Sequence, residues 1–212
     1  MGRTSDARER LLTAGAQLLA HRPYSSVGVA EICATAGVPK GSFYYFFPSK
    51  QDLALAVIDE HWERQRREWA GILAEPGPAI ERIHQLFKAS AQVQQAALGD
   101  LGVVAGCLFG NLALELSSTE ATVRTRLQEI FDTQVEMIEG ALAGDDLYAG
   151  MSEESRHRLA KSLVAQLEGL VLFAKLFQDP SQVEVQWESI AQMLRPTSDP
   201  AAAATAATAA AV

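Results

Sequence analysis

The stretch Gly37-Val38-Pro39-Lys40-Gly41-Ser42-Phe43-Tyr44-Tyr45-Phe46-Phe47-Pro48-Ser49-Lys50 decides the fold. Ahead of it, Val29 to Ala36 reads as a helix with Val29, Ile32, Cys33 and Ala36 on one face. Gly37 stands where a left-handed C-cap residue belongs. Pro39 stops the first helix yet suits the first turn of another. Lys40 to Phe47 then makes about two turns before Pro48 ends it. Helix, tight glycine turn and short second helix make a helix-turn-helix, whose second helix enters the major groove of DNA. Phe43, Phe46 and Phe47, three and four apart, form its buried side. Lys40, Gly41, Ser42, Tyr44 and Tyr45 are small, basic or hydroxyl-bearing. Such donors suit phosphate oxygens, and Gly41 lets the backbone approach a flat partner. The same residues also describe an aromatic packing helix that ends at a proline, so taken alone they leave both readings open.

The longer run Val29, Ile32, Ala36-Gly37-Val38, Lys40 to Tyr45, Phe47 to Lys50 and Leu53 resembles the DNA-binding domain of the TetR family of repressors. The motif is long and covers the first quarter of the chain closely. The resemblance implies an all-α fold, with an N-terminal three-helix DNA-binding domain carrying the helix-turn-helix and a C-terminal helical ligand-binding and dimerisation domain. It implies that Lys40, Gly41, Ser42 and Tyr44 face the groove while Tyr45 and Lys50 hold phosphates. Gly28 stands where family members usually carry Ser or Thr as N-cap. A backbone N–H contact to phosphate survives that change, and a side-chain contact does not. Phe46 replaces the His often found there.

Length and charge agree with that reading. A chain of 212 residues can bury a sizeable core. No apolar run approaches membrane-spanning length and no export signal precedes the first helix, so a cytoplasmic protein without membrane contact is expected. Two distant cysteines make no disulfide framework, and no Cys/His cluster has metal-site spacing. Net charge is −8. Residues 1–50 carry six Lys/Arg against three acids, a net +3, leaving 12 against 23, a net −11, in the remainder. The basic part is where the motif sits.

Asp6 to Ala20 reads as a first helix, with Asp6 and Glu9 as a cap pair and Leu11, Leu12, Leu18 and Leu19 as its apolar stripe. Arg3, Arg8 and Arg10 are candidates for the DNA backbone or for solvated surface charge. Ser49 caps a long helix, with Asp52 three residues on, that runs to Pro76-Gly77-Pro78. The resemblance implies that this helix transmits motion between the domains. Its Trp62 and Trp69 suit either the core or the wall of a ligand pocket. Further helices are expected over Ala79 to about Ala97, Gly106 to Leu116, Ser117 to about Leu142 and from Ser152 to Asp179-Pro180. In the last of these, Val164, Val171, Leu172 and Phe173 widen the apolar face beyond what one core needs. Ser181 and Glu184 read as a capping box for a final helix ending near Leu194. The resemblance implies that 152–178 and 181–194 pair with their symmetry mates as a four-helix bundle. The domains expected are therefore 1–50 for DNA, 51–195 for ligand and dimerisation, and 196–212 as a disordered Ala-rich tail.

The segment Gly106-Cys107-Leu108-Phe109-Gly110-Asn111 also resembles one branch of the family, whose members include repressors responding to reactive electrophiles and to acrylate-like acids. Cys107 at a helix start would have its thiolate favoured by free N–H groups. The alternative is a small buried hydrophobe. Asn111 joins Cys107, Trp62 and Trp69 as a candidate for the ligand site. Cys33 reads as packing. No phosphate-cradling loop, nucleophile elbow or HExxH occurs, so neither an enzyme nor a cofactor is expected. The function implied is a homodimeric, ligand-responsive repressor of double-stranded operator DNA. The alternative is a helical interaction module or small-molecule binder that never touches DNA, and salt-dependent retardation of DNA separates the two.

Overall fold

The computed structural model describes residues 2–195, with side chains from Asp6 onward. Every regular element among them is helical. In chain order these are α1 (Gly2–His21), α2 (Val29–Ala36), α3 (Lys40–Phe46), α4 (Lys50–Ala74), α5 (Ala79–Leu101), α6 (Leu108–Leu116), α7 (Ala121–Ala143), α8 (Glu153–Phe177), α9 (Gln182–Val185) and α10 (Trp187–Met193). Short 3-10 turns stand at Tyr24–Ser26 and Asp146–Tyr148.

The turn between α2 and α3 forms as its residues require. Gly37 is left-handed, at φ 61° and ψ 35°. It lets Val38 N–H reach the Cys33 carbonyl at 2.9 Å and its own N–H reach that of Ala34 at 3.1 Å, which closes the free end of α2. Arg10 of α1 donates to the Ala36 and Gly37 carbonyls at the same place. Phe43 and Phe47 are buried and Phe46 partly so, against Leu11, Leu12, Leu19, Val27 and Ile32. Ser49 caps α4, its hydroxyl accepting from the Asp52 N–H at 3.1 Å.

That first core does not stop at residue 50. It continues through Leu53, Val57, Ile58 and Trp62 of α4 into Phe109, Leu112 and Leu116 of α6 and Val123, Leu127 and Ile130 of α7. A second core joins Trp69 and Leu73 of α4 to α5, the rest of α7, α8 and α9. Polar ties fix the corners of this bundle. Asp145 accepts from the Ala79 N–H at 2.6 Å, Arg82 reaches the Leu73 and Ala141 carbonyls, and the buried Tyr148 hydroxyl donates to Leu194 O.

Four expectations differ at the ends of elements. Helix α1 already runs from Gly2, so Asp6 lies inside it and pairs with Arg10 one turn on instead of capping with Glu9. Helix α5 extends to Leu101 and stops at left-handed Gly102. Ser117 to Thr119 form a turn, and α7 begins at Ala121. The last helix is two short pieces, broken at Gln186. No capping box forms there, because Ser181 has helical dihedrals and turns its N–H and hydroxyl back to Asp179. The Arg3 side chain and the tail 196–212 lie outside the described residues.

Replacing Gly37 by alanine forces a left-handed alanine, so a loss of about 1 kcal/mol is expected, read as a lower urea midpoint at unchanged m. Phe43→Ala leaves a cavity under the same turn and is expected to cost about 3–5 kcal/mol.

Candidate nucleic-acid interface and effector cavity

Helix α3 is anchored by Phe43, which is fully buried. Its opposite side carries Lys40, Gly41, Tyr44 and Tyr45 into solvent, with Ser42 half-buried at the edge. The tyrosines are 52% and 77% exposed, far more than aromatic side chains keep when they serve packing. Each is braced edge-on by a phenylalanine, Tyr44 on Phe43 at 5.3 Å and Tyr45 on Phe46 at 4.9 Å between ring centres, so their hydroxyls point outward from a fixed base. Gly28, also exposed, precedes α2 in extended conformation without a side-chain cap. The first N–H groups of α2 therefore have no side-chain cap.

Lys50 is placed differently from the phosphate contact expected of it. Its ammonium donates to the carbonyls of Tyr24 and Val27 at 2.9 and 3.0 Å and lies 3.9 Å above the Tyr24 ring. The Ser49 cap sets Lys50 in the first turn of α4, directly against the 3-10 turn and the Val27 carbonyl that follows it. Burial lowers the lysine pKa, against the pull of Glu115. Arg22 is likewise taken, by Glu31 and the Ser26 carbonyl, and Arg8 lies over the Phe47 ring.

Two cavities flank Cys107. One, of about 300 Å³, lies between α6 and α8 and is lined by Cys107, Asn111, Leu114, Phe131, Glu168 and Lys175 among others. The other, of about 240 Å³, lies between α4, α5 and α8 and includes His61, Gln65, Trp69, Ser90, Gln94, Cys107 and Glu168. The structure thus brings Cys107, Asn111 and Trp69 to one region. Trp62 is not there: it is buried in the first core, edge-on to Phe109 at 6.2 Å. Glu168, Lys175, His61 and Gln94 complete the walls and were not picked out by spacing. A lone acid inside the apolar run Leu163 to Val171 was the available signal for Glu168.

Electrostatics in this region follow burial. Cys107 does cap α6, its sulfur accepting from the Gly110 N–H at 3.5 Å. The expected low-pKa thiol is nevertheless absent. Burial pushes the Cys107 thiol well up, the neighbouring Glu168 carboxylate adds to this, and the helix N–H groups pull the other way without prevailing. Burial also raises the Glu168 carboxyl, against its hydrogen bond from the thiol. His61 is lowered to about 4 by burial and by Arg64, whose guanidinium lies 2.8 Å from its Nδ1, so it is neutral at pH 7. Arg64 and Lys175 bring positive charge to otherwise largely apolar walls, Lys175 donating to Asn111 Oδ1 at 2.7 Å. Among the described residues no group of three His, Cys, Asp or Glu gathers to hold a metal ion, and no helix is long and apolar enough to cross a membrane.

Comparison with known proteins places this arrangement. Residues 11–57 match the model described as bacterial regulatory proteins, tetR family, and residues 79–185 match that of the LmrA/YxaF-like transcriptional regulator C-terminal domain. The chain is similar to the transcriptional regulator AcuR of Cereibacter sphaeroides, 32% identical over 174 residues that cover 80% of this chain and 77% of that protein. It is similar to the HTH-type transcriptional repressor DhaR of Mycobacterium sp., 28% identical over 201 residues, 94% of this chain and 97% of that one. The crystal structure of reduced NemR from Escherichia coli superposes with a TM-score of 0.75 at 25% identity, covering 89% of this chain and 97% of its own.

A raised thiol pKa has a direct readout. The rate of Cys107 alkylation by iodoacetamide, followed by mass spectrometry, is expected to rise only above the ordinary thiol range of about 8.5. Glu168→Gln, which removes the neighbouring carboxylate, is expected to move that profile to lower pH. A wild-type profile centred below 8 contradicts the assignment.

Proposed function

The chain belongs to the TetR family of bacterial regulatory proteins, and from that membership we propose that it is a homodimeric repressor, released from operator DNA by a small molecule that enters the cavities around Cys107. The observation that carries the reading is the exposed face of α3, with Lys40, Gly41, Tyr44 and Tyr45 outward over a buried Phe43. Lys40, Gly41, Ser42 and Tyr44 face the groove, Tyr45 holds a phosphate, and the open N-terminus of α2 behind Gly28 supplies backbone N–H groups to another. Lys50 acts from inside, holding the turn before α2.

The division of labour follows the two ends of α4. Residues 1–50 read DNA, and 51–195 bind the effector and the second subunit in the cytoplasm. The apolar strip Leu172, Phe173, Leu176 and Phe177 of α8 supports the dimer, each residue being 49–66% exposed in the single chain. A contiguous apolar strip of this kind marks an interface, and a two-fold pair would set two α3 helices on half-sites about one helical turn apart, or a multiple of it. Release requires that the effector prefer the conformer that fits DNA poorly.

The reading is tested on duplexes selected from a random pool by the purified protein. Tyr45→Phe is expected to weaken binding to all selected duplexes alike, by about fivefold for one lost hydrogen bond of roughly 1 kcal/mol. Lys40→Ala is expected to flatten the salt dependence by roughly one unit of slope. Ser42 substitutions change base preference instead. Failure of the wild type to enrich any duplex at low salt sinks the DNA-binding reading. Phe177→Arg is expected to give a folded monomer by light scattering with DNA affinity lowered at least tenfold, since two half-sites are no longer held together.

A further inference from the structure

Helix α6 is nine residues long and touches both ends of the molecule. Its start lines the cavities through Cys107 and Asn111. One turn on, at i+4 and so on the same face, Glu115 reaches the 3-10 turn between α1 and α2. The two carboxylate oxygens accept from the backbone N–H groups of Tyr24 at 2.6 Å and Ser25 at 2.7 Å. That turn has no side-chain cap of its own, so Glu115 supplies from another part of the fold what a local cap would supply. Lys50 holds the carbonyls of Tyr24 and Val27. The residues just ahead of Gly28 and the helix-turn-helix are therefore gripped by their N–H groups from α6 and by their carbonyls from α4.

The other end of α6 is tied just as specifically. Lys175 of α8 donates to Asn111 Oδ1, and Asn111 Nδ2 donates to the Ala105 carbonyl at 3.1 Å. The Lys175 stem lies across Gly106, where a Cβ would come within 2.8 Å of its Cδ. Gly106 also sits at φ 80°, so the entry to α6 has a shape that only glycine accommodates easily and that Lys175 covers. A third opening, of about 420 Å³, runs between these anchor points and is lined by Leu19, Arg22, Asn111, Glu115 and Lys175. Burial pushes the Glu115 carboxyl up, yet the Ser25 and Tyr24 contacts and Lys50 together hold it below the ordinary range, so it is ionised and a strong acceptor at neutral pH.

We propose that Glu115 is the positioning residue that couples the cavity to the DNA-binding helices: a ligand whose oxygen takes the Lys175 ammonium away from Asn111 shifts α6 and withdraws Glu115 from the Tyr24 and Ser25 N–H groups. The role in DNA release rests on the repressor reading above. The coupling itself does not, because it is a property of the DNA-free protein. With the turn ungripped, α2 and α3 lose a polar tie that, beside the shared core, helps to fix their angle to the body.

The test uses the full-length protein and Lys175→Met, which cuts the tie at the cavity end without touching the turn. Amide exchange at Tyr24 and Ser25 is followed by NMR in four proteins: wild type, Lys175→Met, Glu115→Ala and the double variant. The expected result is that Lys175→Met speeds exchange at both amides at least fivefold in the wild-type background and adds nothing in the Glu115→Ala background. Equal increments in both backgrounds, or none in either, overturn the coupling. Glu115→Gln, which keeps one acceptor oxygen, is expected to lie between and serves should the alanine variant fail to fold. On a selected duplex, Glu115→Ala is expected to weaken binding five- to fifty-fold, inside the usual span of allosteric coupling. Coupled exchange with unchanged DNA affinity overturns the role in release, and coupled exchange in a wild type that binds no duplex overturns the repressor reading instead.

Discussion

Helix α4 is held in two cores at once, and the rest of the molecule is arranged around that fact. Leu53, Val57, Ile58 and Trp62 are buried with α1–α3, whereas Trp69 and Leu73 are buried with α5, α7 and α8. A helix of 25 residues is about 37 Å long. Each buried Leu or Ile contributes roughly 1.5–3 kcal/mol, so neither end can be unseated without a cost of several kcal/mol. Arg126 of α7 pairs with Asp59 near its middle, and Gln51 bonds to Glu120 near its start. Movement of α4 is therefore favoured as a tilt of the whole helix over melting of a linker.

The charge of the first fifty residues is a poor guide to the face proposed to meet DNA. Of its cations with described side chains, Arg10 closes the end of α2, Arg22 pairs with Glu31, Arg8 covers Phe47 and Lys50 holds a turn. Lys40 remains outward on α3 itself. The rest of that face is hydroxyl and backbone, so recognition as proposed would rely on hydrogen bonds to phosphate and base edges held at a fixed angle. This makes the rigidity of the head, and whatever sets its angle, more important than its net charge.

Around Cys107 two effects oppose one another at the same atom. A helix N-terminus favours the thiolate, and removal from water beside a carboxylate disfavours it. Burial wins: the loss of hydration is the largest effect on the sulfur and the Glu168 carboxylate adds to it, outweighing the Gly110 and Phe109 N–H groups. The thiol, the Glu168 carboxyl and the neutral His61 ring place polar groups among the apolar walls of the cavities. Such walls suit a bound molecule that would be oriented by hydrogen bonds while apolar neighbours such as Phe131 and Val171 cover its surface.

Local chemistry was legible in the sequence wherever it is settled within a few residues. Gly37 with Pro39 dictated the turn between α2 and α3, Ser49 with Asp52 started α4, Ser152 started α8, and the spacing of Phe43 and Phe47 assigned their burial. The helix-turn-helix and the all-α class followed from these together with the family resemblance. What the sequence left open depended on groups far apart in the chain. Trp62 and Trp69 occupy one stripe of one helix and both are buried, but only the docking of α6 against the first closed it off, while the second, in the other core, also borders a cavity. Lys50 had the charge for a phosphate, but the carbonyls that take it belong to residues 24 and 27. Glu115 and Glu168 looked like ordinary acids on apolar helices until folding brought one to Tyr24 and Ser25 and the other to Cys107. Backbone propensity acts over three or four residues and is written in order along the chain. Burial and hydrogen-bond partnership are set by neighbours up to ninety residues away, and these the packed structure alone decided.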